Sequence, residues 1–382
     1  MNMIDFFDRR INHMLKHFEV ENFKGFSKRL VFDLTARDYG FNKPLVQNDI
    51  VNKAIVYGKN GIGKSSLGIA LFDIVIHLTD KENMQPRYLD NYKNLNAISQ
   101  AVSFKYVFQF DEDEIVYEYK KENPFYLLCE KLTINGDVKL DYDYFNSDKQ
   151  FVNEAFKGSL NIELLDNKLS ILKYIYRNTR TNSNPILTKM FHFCDTMLWY
   201  RGLSDGNSYA GFTNGGSLLD EALYQSGRVH EFEQFLQEND LNYKLKFESQ
   251  NGLHSLYAIF NNGNTKVPFA TIASTGTMAL YLFFFWQITA FKDVSFLFID
   301  EFDAFFHYES AENLMLSLNK VKSIQSVLTT HNTYLMTNRL TRPDCCFIMT
   351  ENKISSLCNA TDRELREGHN LEKLYLSGEF NG

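Results

Sequence analysis

The chain has 382 residues, a formal net charge of −7 and 44% hydrophobic residues. This length allows two or three domains, or one large domain with an insertion. The mildly acidic balance excludes a global basic field that would draw the whole protein to nucleic acid. The longest apolar run, residues 278–291, is too short to span a bilayer and predicts a buried helix. Because the charged chain start lacks the apolar core of a secretory signal, we expect a cytoplasmic protein without membrane contact.

The first segment of the chain is rich in strand patterns. Alternating runs on both sides of "KGFS" predict a hairpin over residues 16–35. "NKAIVY" predicts a buried strand, and alternating runs over residues 102–144 predict a group of antiparallel strands. Within that group, Asn135–Gly136 between two alternating runs is a strong turn signal. We assign residues 1–147 to an N-terminal lobe with an antiparallel β subdomain.

The pattern changes to helical spacing over residues 148–240, which we assign to a helical insertion. Apolar residues three and four apart predict helices in "LSILKYIYRN", "PILTKMFHFCDTMLWY", "GSLLDEALYQ" and "RVHEFEQFLQEN". Residues 241–382 return to strands and then alternate helix and strand. That alternation is typical of an α/β unit with a mainly parallel sheet, so we assign this range to a C-terminal lobe.

The five cysteines are Cys129, Cys194, Cys345, Cys346 and Cys358, and none of them forms a CxxC pair. An odd count without metal-ligand spacing is typical of free thiols in a reducing cytoplasm. The adjacent pair lies in the apolar run "DCCFIMT". We therefore expect these two side chains to pack in the core rather than bind a metal.

The run "YGKNGIGKSSLG" fits the phosphate-loop pattern G-x-x-x-x-G-K-[ST], between a predicted strand and a predicted helix. Glycines let successive backbone N–H groups face phosphates, and the helix N-terminus favours negative charge. Lys64 is expected to reach the β- and γ-phosphates of ATP, and the Ser65 hydroxyl to bind Mg²⁺. The alternative is a chance match in a glycine-containing turn, which the flanking strand and helix disfavour. The predicted nucleotide-binding residues of the loop are Gly58, Lys59, Asn60, Gly61, Ile62, Gly63, Lys64, Ser65 and Ser66.

Two further apolar runs end in polar residues. "SFLFIDEF" predicts a buried strand that ends at Asp300, which can hold Mg²⁺ through water, while Glu301 can orient and deprotonate the attacking water. The alternative for this pair is an acidic turn after a core strand. "SVLTTH" predicts a strand that ends just before His331. This histidine can contact the γ-phosphate, or else cap a helix that begins near Asn332.

A fourth element is "IASTGTMALYL", in which Ser274, Thr275 and Gly276 start a long apolar helix. Backbone N–H groups and the Ser274 hydroxyl at a helix N-terminus bind anions, although serine is also a common helix cap. The segment lies 26 residues before Asp300 (274 to 300), and its helix leads directly into that strand. This position favours the nucleotide-binding interpretation for Ser274 and Gly276.

The order of these elements resembles the heads of ABC-type ATPases, such as the SMC and Rad50 proteins. The resemblance implies an α/β P-loop NTPase fold with a mixed, mainly parallel sheet, an antiparallel β subdomain and a helical insertion. It also implies a Mg²⁺-dependent ATPase that forms dimers or higher homo-oligomers, in which Ser274 and Gly276 of one head contact the ATP of another. "ENFKGF" resembles the N-terminal hairpin of this group, so Lys24 is expected near the nucleotide. Gln109 is one candidate for the Q-loop glutamine.

More narrowly, "FLFIDEFDAFFHYE", "TTHNTYLMTNRLTRPD" and "NLEKLYLSGEFNG" resemble AAA-family ATPases of bacterial abortive infection, of the AbiL and RloA type. The ATPase subunit of the PARIS anti-phage system belongs to the same neighbourhood. This resemblance implies a sensor of infection, with a phage protein as trigger, that controls an effector such as a nuclease encoded nearby. The alternative is a DNA-repair or DNA-tethering ATPase like the SMC, Rad50 or RecF heads, with DNA as a partner. The missing coiled-coil heptads and the acidic charge disfavour that alternative.

Overall fold

The computed structural model of the chain describes residues 13–81, 86–96, 98–162, 166–179, 185–201, 209–211 and 218–380. The chain start, on which our prediction about a secretory signal rests, lies mostly outside these residues. Within them, every helix is too short or too polar to traverse a bilayer.

The strands are numbered in chain order: β1 His13–Glu21, β2 Leu30–Asp33, β3 Val46–Gln47, β4 Ile50–Val51, β5 Lys53–Tyr57, β6 Val102–Phe110, β7 Asp113–Asn123, β8 Tyr126–Ile134, β9 Asp137–Asp143, β10 Gln150–Val152, β11 Leu198–Arg201, β12 Tyr209–Gly211, β13 Leu245–Gln250, β14 Leu253–Phe260, β15 Thr265–Pro268, β16 Phe296–Asp300, β17 Gln325–Thr330, β18 Cys346–Thr350 and β19 Lys353–Ser356. The α-helices are α1 Lys64–Leu71, α2 Asp73–Leu78, α3 Pro86–Leu89, α4 Glu154–Lys157, α5 Ile171–Asn178, α6 Pro185–Asp195, α7 Leu219–Ser226, α8 Val229–Gln237, α9 Phe269–Ile272, α10 Thr275–Thr289, α11 Tyr308–Lys320 and α12 Leu371–Leu376. Short 3-10 helices cover Lys43–Leu45, Ser147–Lys149, Asn261–Gly263, Thr333–Leu335 and Leu357–Asn359.

A seven-stranded core sheet has the strand order β12-β11-β16-β17-β5-β18-β19. Its inner strands are parallel, and the edge strands β12 and β19 are antiparallel to their neighbours. Arg201 lies opposite Asp300, and Thr330 lies opposite Tyr57. These registers bring the carboxyl ends of β11, β16, β17 and β5 to one edge of the sheet. The expected mixed, mainly parallel sheet is confirmed.

A second seven-stranded sheet is antiparallel throughout, with the order β10-β9-β8-β7-β6-β1-β2. β1 and β2 form the expected pair, with Val20 opposite Leu30. β8 and β9 are joined by the expected turn, in which Asn135 has φ 51° and Gly136 has φ 84°. Positive φ at both positions matches a type I′ turn, which explains the asparagine–glycine pair. This sheet is the predicted antiparallel β subdomain.

The central strand β5 alternates its side chains between two cores. Ala54 and Val56 lie in the core shared with the antiparallel sheet, whereas Ile55 and Tyr57 lie in the core under α10. Burial on both faces is typical of parallel strands covered by two layers. The predicted buried helix is confirmed as α10, in which Phe283–Trp286 are at most 4% exposed.

The adjacent cysteines lie in these two cores, on opposite faces of the core sheet. Cys345 belongs to the core shared with the antiparallel sheet and Cys346 to the core under α10. Burial raises the pKa of the Cys346 thiol to about 12 and also raises the pKa of Cys345. Both thiols act as buried apolar side chains, so the predicted core packing is confirmed.

One buried side chain joins the two large sheets. Gln325, at the start of β17, is 1% exposed. Its Oε1 accepts a hydrogen bond from the Leu15 backbone N–H (2.8 Å), and its Nε2 donates to the carbonyls of Leu15 (2.8 Å) and Val51 (3.0 Å). The amide therefore takes the place of a backbone pair between β1 of the antiparallel sheet and the core sheet.

A buried carboxylate ties α2, the second helix after the phosphate loop, to the antiparallel sheet. Asp73 is 0% exposed, and one of its oxygens accepts hydrogen bonds from the Lys121 ammonium (2.6 Å) and the Tyr119 hydroxyl (2.8 Å). The other oxygen accepts hydrogen bonds from the hydroxyls of Tyr88 and Tyr92, at 2.7 Å each. Burial acts to raise the pKa of Asp73, but the Lys121 charge and the hydrogen bonds from Lys121, Tyr92 and Tyr88 together outweigh it and hold this pKa below its ordinary value.

The range 148–240 contains strands as well as the predicted helices. Helices α4 to α8 lie in it, but Leu198–Arg201 is strand β11 of the core sheet. The prediction of a helix through residue 200 is wrong, since α6 ends at Asp195 and the chain then extends beside β16. Periodicity alone does not separate a short buried strand from a buried helical turn, which is why "LWY" was assigned to the helix. A separate helical insertion over this range stays a prediction.

Candidate nucleotide-binding and hydrolysis site

The predicted phosphate loop lies between β5 and α1, at the carboxyl edge of the core sheet. Gly63 has φ 112°, a conformation that L side chains rarely adopt, and a Cβ there would lie 2.9 Å from the Phe26 ring. Glycine therefore permits both the turn and the close approach of the N-terminal hairpin. Residues 59–61 are exposed, while Ile62, Ser65 and Ser66 are half-buried. The loop thus has the strand–loop–helix setting that the sequence predicts.

Lys64 begins α1 and is 5% exposed. Its Nζ donates hydrogen bonds to the carbonyls of Gly58 (2.6 Å) and Lys59 (3.1 Å). The Lys64 ammonium therefore lies against the backbone of the phosphate loop itself. Burial lowers the pKa of Lys64, and nearby carboxylates, first of all Asp300, oppose that shift. The side chain is a buried cation with acidic neighbours, which suits a partner of phosphate oxygens.

Asp300, at the end of β16, is 0% exposed. Its Oδ1 accepts a hydrogen bond from the Thr329 hydroxyl at 2.7 Å. Its Oδ2 has no hydrogen-bond partner among the residues that the structure describes. Burial raises the pKa of Asp300, and the neighbouring hydroxyls of Ser65 and Thr329 oppose the rise.

Ser65 and Asp300 together fit a magnesium site. A buried carboxylate oxygen without a hydrogen bond is costly, and a hard cation would satisfy it. Carboxylate and hydroxyl oxygens are the ligands that Mg²⁺ prefers. The structure brings Ser65 beside Asp300, so the two residues named from the sequence as metal ligands do meet.

Glu301 directly follows β16, and its side chain is 32% exposed. Its φ of 50° lies in the left-handed region, which is uncommon for a residue other than glycine and recurs at functional sites. Its backbone N–H donates to the Thr329 hydroxyl at 2.8 Å. The same hydroxyl donates to Asp300, so Thr329 fixes both acidic residues at the end of the strand.

Arg201 is a site residue that the sequence reasoning missed. It ends β11, and its Nε donates to Glu301 Oε2 at 3.2 Å, with Nη2 bonded to the same oxygen. Its Nε also lies 3.8 Å from Asp300 Oδ2. The apolar stretch "MLWY" is followed by the charged Arg201, as "FLFI" is followed by Asp300. This signal is missed when "MLWY" is assigned to the end of a helix.

His331 follows β17 directly and is exposed at the same edge of the sheet as the phosphate loop. Beside it, the Thr330 hydroxyl donates to Asp303 Oδ2 at 2.8 Å. Asp303 is 7% exposed, and burial raises its pKa while Thr330 and His331 oppose the rise. Asn332 caps the 3-10 helix Thr333–Leu335, so the cap expected near this point is Asn332 rather than His331.

The start of α10 carries the predicted serine and glycine. Ser274 is exposed and caps the helix, since its Oγ accepts a hydrogen bond from the Thr277 N–H at 3.1 Å. A Cβ on Gly276 would lie 2.6 Å from the Phe305 carbonyl oxygen, in the turn that follows Glu301. The helix start thus contacts the turn after β16. Contact with the ATP of a second copy stays a proposal.

Two residues named from the family resemblance have partners in their own surroundings. Lys24 Nζ donates to the carbonyls of Asp90 (2.7 Å) and Tyr88 (3.4 Å), and burial lowers its pKa to about 8. Gln109 lies on β6 of the antiparallel sheet, and its Nε2 donates to the Asp111 carbonyl at 2.9 Å. Neither of these interactions involves the phosphate loop, so a role for either residue at the nucleotide stays a prediction.

Comparisons with solved structures give ATPase heads at low identity. An SMC head bound to the C-terminal winged-helix domain of ScpA is 15% identical, with 90% of this chain and 97% of that chain covered and a TM-score of 0.48. The SMC head domain from Thermotoga maritima is 16% identical, with 91% and 99% covered and a TM-score of 0.42. The recombination mediator RecF with ATP is 12% identical, with 91% and 99% covered and a TM-score of 0.39. Because these TM-scores lie below 0.5, the strand order and the phosphate loop carry the argument about the fold.

Among curated protein sequences, none matches the chain. One family does, over residues 53–337, a range that includes the phosphate loop, β16 and β17. The matched range and the core sheet together confirm the predicted α/β P-loop NTPase fold. The chain therefore belongs to the family described as "AAA domain, putative AbiEii toxin, Type IV TA system".

Proposed function

We propose that this chain is a Mg²⁺-dependent ATPase of the ABC type. One observation carries the proposal: Lys64, Ser65, Asp300 and Glu301 meet at one edge of the core sheet. They come from parts of the sequence more than 230 residues apart (Lys64 to Asp300 is 236). A purely structural acidic turn would not require a buried Asp300 oxygen that lacks a hydrogen bond and lies beside the Ser65 hydroxyl.

The proposed chemistry follows from these positions. Lys64 and the loop N–H groups bind the β- and γ-phosphates. The oxygen of a water molecule bonds to the γ-phosphorus while the bond to the β,γ-bridging oxygen breaks, and ADP leaves with that electron pair. Glu301 accepts the proton of the water, and His331 contacts the γ-phosphate. Ser65 and Asp300 hold Mg²⁺, which when bound supplies charge neutralisation of the phosphates.

Replacement of Lys64 and Glu301 tests the ATPase. Lys64→Ala is expected to weaken ATP binding, since the phosphates lose their main side-chain partner. Glu301→Gln should bind ATP normally and lose turnover by about two to four orders of magnitude, as removal of a general base does. Lys131→Ala, on the antiparallel sheet, is the matched control and should behave as native. Unchanged ATP affinity in Lys64→Ala, measured by titration, would sink the proposal.

We further propose that ATP joins two copies through Ser274 and Gly276. Ser274 is exposed at the start of a 15-residue helix whose N-terminus touches the turn after Glu301. Light scattering with and without ATP should show a larger mass for the native protein, and Glu301→Gln should trap it. Ser274→Arg should stay monomeric, whereas Ser147→Arg, an exposed serine on the other subdomain, should associate as native does. Association of Ser274→Arg would contradict the trans contact.

The biological role that we propose is anti-phage defence, in which the ATPase senses infection, through a phage protein, and controls an effector such as a nuclease. The family description, which names a toxin of a toxin–antitoxin system, supports this role. DNA repair or tethering is the alternative. The outer face of the antiparallel sheet does not favour DNA, because two of its lysines pair with acids, Lys105 with Glu19 (3.4 Å) and Lys131 with Asp141 (3.0 Å). Loss of phage protection in cells that carry Lys64→Ala would support defence, and native protection in that variant would refute it.

A further inference from the structure

We propose that Arg201 is a positioning residue that holds Glu301 in the orientation from which it activates water. The inference rests on the proposed ATPase and adds a residue to it. It begins with the sheet register, since β11 runs parallel to β16 and Arg201 lies opposite Asp300. The guanidinium therefore emerges at the same edge as the two acidic side chains.

Of the two acidic residues, Arg201 donates hydrogen bonds to Glu301 and not to Asp300. Both Nε, at 3.2 Å, and Nη2 donate to Glu301 Oε2. The contact with Asp300 is an ion pair of 3.8 Å between Nε and Oδ2, which exceeds hydrogen-bond distance. Asp300 is held instead by the Thr329 hydroxyl. Of the two acidic residues, the one that Arg201 binds by hydrogen bonds is thus the proposed general base, Glu301.

Glu301 needs this second anchor. Thr329 fixes its backbone N–H, and its φ of 50° sets the backbone in the left-handed region, but neither fixes the carboxylate. The glutamate side chain is 32% exposed, whereas that of Arg201 is 14% exposed. A planar guanidinium with two donors on one oxygen sets the direction of a carboxylate, and water screens this pair only weakly. Because both donors hold Oε2, the water proton goes to Oε1.

Glu301 lies near enough to Lys64 to raise its pKa, against the lowering by burial, but it forms its hydrogen bonds with Arg201. A carboxylate near a buried ammonium would pair with it, yet Lys64 Nζ bonds to the carbonyls of Gly58 and Lys59. Arg201 neutralises Glu301 and so leaves Lys64 for the phosphates. The alternative is an ion pair that only stabilises the fold, which would change stability without a specific effect on the chemical step.

The test compares Arg201→Gln, Arg201→Lys and Glu301→Gln with the double variant Arg201→Gln/Glu301→Gln, all in the full chain. Each protein is titrated with ATP in the absence of Mg²⁺, assayed for Mg²⁺-dependent turnover, and melted to show that it is folded. Arg339→Gln is the matched control, because Arg339 also pairs with a glutamate, Glu312, and is 64% exposed.

We expect Arg201→Gln to bind ATP within about threefold of native and to lose about 10- to 100-fold in kcat, the usual effect of a misplaced catalytic group. Arg201→Lys should be faster than Arg201→Gln but slower than native, since lysine keeps the positive charge but lacks the planar guanidinium with two donors. The double variant should be no slower than Glu301→Gln, because the arginine acts through the glutamate.

The outcomes distinguish a failure of the Arg201 positioning role from a failure of the proposed ATPase function. Native kcat in Arg201→Gln, or rate losses that multiply in the double variant, would overturn the positioning role while Glu301→Gln stays inactive. A native protein without turnover, or a Glu301→Gln variant with native turnover, would overturn the proposed function together with this inference.

Discussion

Replacement of Asp73 by asparagine should destabilise the protein by about 3–5 kcal/mol, the usual cost when one partner of a buried ion pair is removed. The Lys121 side chain is 2% exposed and would be left buried without its carboxylate partner. The tyrosine hydroxyls around Asp73 can rotate to suit an amide, but an ammonium cannot become an acceptor. The uncompensated lysine therefore accounts for most of the expected loss.

Urea unfolding followed by tyrosine and tryptophan fluorescence measures this loss as a lower transition midpoint with an unchanged slope. The double variant Asp73→Asn/Lys121→Met removes both charges and should recover about 2 kcal/mol or more of the loss. Asp141→Asn is the control, since its pair with Lys131 is half exposed and contributes at most about 1 kcal/mol. A loss below about 1 kcal/mol in Asp73→Asn, or no recovery in the double variant, would refute the reasoning.

Three other predictions follow from the site and the subdomain. Gly276→Ala places a methyl group 2.6 Å from the Phe305 carbonyl, so the turn after β16 must shift, and ATP turnover should fall while ATP binding in titration stays near native. Thr329→Val keeps the shape but leaves Asp300 Oδ1 without its donor, which should cost about 1–3 kcal/mol in urea unfolding and reduce turnover. Burial lowers the pKa of His77 below its ordinary 6.5, so its neutral form stabilises the fold above that pH. The unfolding free energy should decline as pH falls below about 6.5, and His77→Gln should remove that part of the decline.

Several elements were predictable because their local signals agree with the final fold. The glycine pattern from Gly58 to Gly63 fits a turn before a helix, and Asn135–Gly136 fits a hairpin turn. The strands before Asp300 and His331 are continuous apolar runs, as buried parallel strands are. Each of these signals depends on residues within about ten positions of one another.

The remainder of the site depends on contacts that sequence order does not show. Arg201 meets Glu301 because β11 pairs with β16, and this pairing follows from the strand order of the whole sheet. Thr329 holds Asp300 for the same reason, since β17 lies on the other side of β16. The helical assignment of "LWY" is wrong because β11, with four residues, is too short for a period to be measured.

The Gln325 amide couples the antiparallel sheet to the strand that leads to the proposed site. The Gln325 side chain both accepts a hydrogen bond from β1 and donates one to it, so it connects the two large sheets. Gln325 begins β17, the strand that ends in Thr330 just before His331. Gln325→Glu would remove the two hydrogen bonds that Nε2 donates, and Gln325→Leu would remove all three side-chain hydrogen bonds. Because of these hydrogen bonds, a movement of the antiparallel sheet acts on β17, the strand that ends just before His331. We therefore expect a displacement of the antiparallel sheet to be transmitted through Gln325 and β17 to the proposed nucleotide site.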